Sequence, residues 1–335
     1  MIPKPDLRLS LALNDYVHTA DIANGRVRAP GIDLTIVSLP FESVAMRFGA
    51  NLEFDVAEYS LANYCAHLAE SKPSPMVALP VFTSRVFRHS SIYVNDASRI
   101  VDAGDLAGRT VGIPQWSQTA TVYVRGFLTH DAGVPLRSIR WVQAGVDQPG
   151  RRDGVQSYLP EGVTVTPRPD RTLSDLLASG EIDAVISARP PQCFMHGAPG
   201  VRRLFPDFRQ QEERYFARTG IFPIMHVIAM RRPVYEANPW IARNLYDAFE
   251  TAKRAGLARL RDIQTSHLPS AWATDEMERV HKLLFPDGDR WPYGLEPNRT
   301  TLEAFLAYAH EQGVTRRRLA CEELFPKEVS FEVRI

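Results

Sequence analysis

Leu7, Leu9, Leu11 and Leu13 alternate with Arg8, Ser10 and Ala12, a period of two that predicts a strand with one buried face. Asn14 and Asp15 are turn formers, and with Tyr16 they predict a helix running to about residue 24. The same reading predicts strands at 33–38 and 54–57 and helices at 43–50 and 61–70. A second series opens with the apolar run at 91–94. It continues through a short helix and glycine stop at 105–109, a strand at 110–113, a helix at 120–130, a strand at 139–143, a helix at 173–179 and a strand at 184–187. Residues 222–228 form one more apolar strand, and beyond residue 238 the periodic segments (239–260, 276–284, 302–312) are helical. Strand and helix alternate as parallel crossovers require, so the fold class is α/β in two series followed by C-terminal helices, without a legible internal repeat.

Composition narrows this picture. At 335 residues and ~150 per domain the chain predicts two domains. Apolar residues at 44% and charged residues at 23% exclude disorder and coiled coil for the whole. Lys+Arg and Asp+Glu each number 39, so no global charge draws the chain to nucleic acid or anionic lipid, and neither partner is expected. An anion bound here must be met by local charge. Cys65, Cys193 and Cys321 lie far apart with no metal-ligand spacing, so no metal is expected, and their odd number points to a reducing compartment. Residues 1–13 lack the apolar run of a signal peptide and no stretch approaches ~20 apolar residues, so the expectation is a cytoplasmic protein off the membrane. Size alone suggests a homo-oligomer.

Two levels of resemblance sharpen the reading. Leu106-Ala107-Gly108-Arg109-Thr110-Val111-Gly112 resembles the element that opens the second lobe of the type 2 periplasmic-binding-protein fold. Arg85 to Val94, Pro114-Gln115-Trp116-Ser117-Gln118-Thr119-Ala120 and Tyr293-Gly294-Leu295-Glu296-Pro297-Asn298-Arg299 resemble the 4,5-dihydroxyphthalate decarboxylase family, a cytoplasmic branch of that fold. The similarity runs from the first strand to Glu323-Leu324-Phe325-Pro326. It implies a two-lobed type 2 periplasmic-binding-protein-like fold, each lobe a mixed sheet flanked by helices. Lobe I would span 1–92 and 228–335, lobe II 93–227, with the ligand cleft between them. The implied activity is decarboxylation of 4,5-dihydroxyphthalate to 3,4-dihydroxybenzoate, in aromatic degradation and with no cofactor. A non-catalytic receptor for a small carboxylate is the alternative, because one scaffold hosts many functions.

Such a ligand is a flat ring with two carboxylates at one rim and two hydroxyls at the other, so cations, acceptors and apolar walls must converge. Arg85 and Arg88 are candidates for the carboxylates, since a guanidinium fork suits bidentate binding; Arg189, after the strand at 184–187, is a third. Ser117, Thr119 and Ala120 start a helix whose free N–H groups suit an anion, although Ser117 and Thr119 serve equally as caps; Gln115 and Trp116 lie in the same turn. Trp116 and Phe87 offer stacking walls, a role core packing explains as readily. At the first lobe's strand ends, Asn14, Tyr59 and Ser60 offer hydrogen bonds, and Glu58 is the candidate base for a phenolic proton. His89, beside the arginines, and His226, in the apolar strand, are candidate acids, with His18 a weaker third; a lone histidine in an apolar strand is more often a core residue. Arg125 reads as an ion-pair residue. Each carboxyl-bearing carbon of the implied substrate is para to a hydroxyl, so electron flow from that oxygen, protonation at the carbon and loss of carbon dioxide complete the implied chemistry.

Overall fold

A computed structural model describes residues 6–70, 72–265 and 267–330. In chain order the strands are β1 (Leu7–Leu13), β2 (Ile32–Ser38), β3 (Val56–Ser60), β4 (Met76–Arg85), β5 (Ile92–Asn95), β6 (Thr110–Ile113), β7 (Arg140–Gly145), β8 (Val165–Thr172), β9 (Ala184–Ile186), β10 (Val201–Arg203) and β11 (Ile224–Arg231). They form two mixed sheets, ordered β2-β1-β3-β11-β4 and β10-β5-β9-β6-β7-β8. The alternation along β1 does what its period requires: Leu9, Leu11 and Leu13 are buried, and the strand pairs in parallel with β2, Leu7 opposite Ile32. β11 lies between β3 and β4, antiparallel to both, and Val227 to Met230, buried there, read as an unbroken apolar run.

The chain leaves the first sheet at the end of β4 and enters the second at β5. It returns from β10 through the helix Phe208–Thr219 and re-enters the first sheet at Ile224. The two crossing segments are joined by the Val86 N–H, which donates to the Pro223 carbonyl at 3.1 Å. The helix Ile241–Leu260 packs on the first sheet's β4, whereas Arg299–Glu311 packs on Thr119–His130 beside the second. That packing is close because Gly126 leaves room for the Tyr308 ring. No described helix is long and apolar enough to cross a membrane.

One expected element is much shorter than its pattern suggests. The helix predicted from residue 14 to residue 24 is only Ala20–Ala23. Residues 14–19 instead fold as a turn, because the Asn14 N–H and the Tyr16 hydroxyl are drawn to the buried carboxylate of Glu58.

Candidate active site

Strand alternation sends Glu58 and Ser60 to one face of β3 and Tyr59 to the other. His226 lies on β11 opposite Ser60 of β3 and Ser84 of β4, so its ring stands beside Glu58. His226 Nδ1 is 2.7 Å from Glu58 Oε1. The same oxygen accepts from the Tyr16 hydroxyl at 2.6 Å and from the Thr83 hydroxyl at 2.9 Å, while Oε2 accepts the Asn14 N–H at 3.0 Å. Burial by itself would raise the Glu58 pKa, but the bonds from His226, Tyr16 and Asn14 outweigh it and hold the carboxyl below its ordinary range. An ionised carboxylate only accepts, so Nδ1 of His226 carries the proton and Nε2 is the nitrogen left for chemistry. The Glu58 side chain is 0% exposed and that of His226 16%, so the imidazole reaches solvent and the carboxylate does not. Phe41 lies on the imidazole, ring centroids 3.4 Å apart and planes 9° apart. Burial, reinforced by the charge of Glu58, drives the Tyr16 phenol far above its usual pKa, so it stays a donor.

The sequence candidates scatter around this pair. Glu58 is present but cannot meet a substrate hydroxyl directly, since it is sealed in and its lone pairs are taken by four donors. Asn14 contributes its backbone N–H; its side-chain carbonyl accepts from the Asp15 N–H. Ser60 meets Thr119 of the second lobe, hydroxyl to hydroxyl at 2.9 Å, and Thr119 Oγ1 also accepts the Ala62 N–H at 3.1 Å. Arg88 is half-buried between the lobes, donating to the Ala188 carbonyl and to Met225 Sδ, each at 3.3 Å. Burial lowers the Arg88 pKa to about 10, which leaves it cationic at neutral pH.

Other candidates lie elsewhere. Tyr59 is packed behind the sheet against Phe48 and His67. Trp116 is core: its indole N–H donates to the Gln312 carbonyl, its ring meets Trp141 edge-on, and the fully buried Arg125 lies over it. Ala120 is buried in its helix. Both the N–H and the hydroxyl of Ser117 are taken by Asp153, and the Gln115 side chain by Arg151 and the Arg152 carbonyl. Phe87 stacks on Phe222. Arg85 grips the Phe222 and Pro292 carbonyls beneath the Phe222 and Phe285 rings, so it ties the crossing segments together rather than facing a cleft. His89 is caged by Phe127, Phe205 and Tyr215. The cavity it shares with Arg88 measures about 10 Å³, room for about one water and not for an aromatic ring. Arg189 is exposed and paired with Glu42 at 3.4 Å. His18 lies between Tyr16 and Trp291, its ring tilted 37° and 42° from theirs.

Tyr16, Thr83 and Phe41 complete the arrangement without having been singled out from the sequence. Tyr16 had one usable signal, its place in the turn after β1; Thr83 and Phe41 had none beyond residue type. No group of three or more His, Cys, Asp and Glu side chains able to hold a metal occurs among the described residues.

Two mixed α/β sheets joined by two crossing segments, with polar strand ends meeting between them, define a protein of the two-lobed periplasmic-binding-protein class. The sulphonate-binding protein SsuA of Escherichia coli shares this fold at a TM-score of 0.55 and 14% identity, over 98% of this chain and 100% of that one. The desulfurization enzyme DSZB shares it at 0.52 and 15%, over 96% and 97%. Sequence is more specific. A 4,5-dihydroxyphthalate decarboxylase of Comamonas testosteroni is 37% identical over 320 residues, 95% of this chain and 96% of its own. Another, from Pseudomonas putida, is 39% identical over 202 residues, 60% of this chain and 78% of its own. No family model matches. The chain belongs to the 4,5-dihydroxyphthalate decarboxylase family.

Proposed function

We propose that this protein decarboxylates 4,5-dihydroxyphthalate to 3,4-dihydroxybenzoate, with His226 as the proton donor, Glu58 as the anion that orients it and Arg88 as the anchor of the retained carboxylate. The observation that carries this reading is the 2.7 Å contact between a sealed, ionised Glu58 and a partly exposed His226. The imidazolium Nε2–H delivers its proton to the ring carbon that bears the departing carboxylate. Electron density from the para hydroxyl oxygen stabilises the protonated ring. The carbon–carboxylate bond then breaks, its electron pair restores aromaticity, carbon dioxide leaves, and His226 recovers a proton from water. One proton is consumed for each carbon dioxide released, and the step needs one donor. General acid catalysis of this kind contributes about 10² to 10⁴ in rate. The arginine favours the carboxylate that stays, because holding the departing one would stabilise the ground state. The free thiols of Cys65, Cys193 and Cys321 support a cytoplasmic setting.

The test is carbon dioxide release from carboxyl-labelled 4,5-dihydroxyphthalate. Wild type should release label, and His226→Ala should lose about 10² or more of that rate while still binding phthalate. Tight binding by wild type with no label released would instead make the protein a solute receptor.

A further inference from the structure

The helix Phe41–Asn51 begins with two adjacent side chains that reach into the two halves of the site. Phe41 lies face to face with the His226 imidazole, 3.4 Å between centroids. Its neighbour Glu42 reaches across to the other lobe, Oε2 lying 3.4 Å from Nη2 of Arg189, the residue after the Ala188 carbonyl that accepts from Arg88, so both arginines serve the one retained carboxylate. An aromatic carboxylate competes with both: its ring must crowd Phe41 away from the imidazole to meet the Nε2–H edge, and its carboxylate must compete with Glu42 for an arginine. We propose that Phe41 and Glu42 are specificity-determining residues, an internal stand-in that the substrate must displace. The location of the site rests on the proposed function; the displacement itself is a statement about binding.

Two features of the helix make this exchange feasible. Val44 and Phe48 are buried and hold the helix on the first sheet, so the first turn can release its side chains while the helix stays in place. The Arg189 and Glu42 side chains are 64% and 41% exposed, so a solute reaches the pair and the attraction to be broken is weak. Selectivity follows from what each ligand restores. Acetate displaces only Glu42 from Arg189, an uncharged arene displaces only Phe41 from the imidazole, and an aryl carboxylate displaces both.

Isothermal titration with phthalate, which lacks the hydroxyls the reaction uses, reads displacement without turnover. Glu42→Gln should bind phthalate about 2- to 5-fold tighter than wild type, the range expected on releasing one exposed ion pair. That gain should vanish when Arg189→Gln is added to both proteins. Phe41→Ala should tighten both phthalate and benzoate and leave acetate unchanged. Unchanged or weaker phthalate binding in Glu42→Gln, or the same gain with Arg189 removed, overturns the proposal. Weaker aryl binding in Phe41→Ala also overturns it, by making Phe41 a wall for the substrate. Glu42 is half-exposed in the helix's first turn, so its cycle with Arg189 decides the matter even if Phe41→Ala fails to fold. Carbon dioxide release from 4,5-dihydroxyphthalate is followed separately. No release with the cycle intact sinks the proposed reaction alone, and release with an absent cycle sinks the displacement alone.

Discussion

Replacing His89 with phenylalanine should make the protein more tolerant of acid and leave its turnover in place. His89 is 6% exposed, caged by Phe127, Phe205 and Tyr215, and its Nδ1 has no hydrogen-bond partner. Burial, reinforced by the charge of Arg218, lowers its pKa from 6.5 to about 4. The folded protein therefore keeps this ring neutral while the unfolded chain takes up a proton near pH 6.5. Stability from the neutral ring is complete above 6.5 and drains away as pH falls toward 4. For one such group the loss between pH 7.5 and pH 4.5 is roughly 2.5 kcal/mol. His18, lowered to about 4 by burial, adds a similar loss of its own, so the variant should retain part of the pH dependence. Urea unfolding at pH 7.5, 6.0 and 4.5 measures this. The fall in unfolding free energy across the range should be about 2.5 kcal/mol smaller in the variant, with an unchanged m-value. The larger phenylalanine ring costs about 1–3 kcal/mol of overpacking, but at every pH alike, so it cancels from the comparison. An identical fall in both proteins refutes the burial argument, and collapse of carbon dioxide release at pH 7.5 would return His89 to the role of acid.

Two further variants test the network around the dyad. Tyr16→Phe removes the 2.6 Å donor that favours the ionised form of Glu58, so the Glu58 pKa rises toward the ordinary carboxylate value and the acid limb of the kcat/KM profile moves to higher pH; a tyrosine that only packs would leave that limb unmoved. Arg88→Met should raise KM for 4,5-dihydroxyphthalate about 10- to 100-fold, the loss of a charged hydrogen bond worth about 1.5–3 kcal/mol, with a smaller effect on kcat; steady-state kinetics that show the reverse would place Arg88 in the chemical step.

Local patterns revealed the elements whose period matches their burial. β1 and the helix Leu61–Glu70 follow directly from their spacing of apolar residues, because what the neighbouring residues suggest is also what the core requires. β8 was illegible for the opposite reason. Its sequence, Val-Thr-Pro-Arg-Pro-Asp-Arg-Thr, carries two prolines and little apolar surface, and it is a strand because it lies at the edge of its sheet, pairing with β7 alone. The helix expected from residue 14 failed on a long-range competitor. Glu58, 42 positions beyond Tyr16, captures the hydroxyl that a local reading leaves to the helix.

The site was legible by residue type and illegible by direction. Glu58 and His226 both stood out from the sequence, but as a base at one rim of the substrate and an acid at the other; register across 168 positions makes them one unit. His89 drew attention because it follows two arginines, yet the chain turns there from β4 toward the second sheet, and the ring enters an aromatic cage while Arg88 stays between the lobes. Tyr59, one residue from Glu58, faces the opposite side of the same strand. These displacements change the chemistry as well as the map. With Glu58 sealed, it cannot serve as a base at the substrate hydroxyls, and the proposed reaction requires none there. Protonation at carbon is the event that makes carbon dioxide a leaving group, and a para oxygen supplies electrons to that carbon whether or not it has first lost its proton. In the proposed reaction, an imidazole that meets solvent, held by a carboxylate that does not, supplies the one proton consumed.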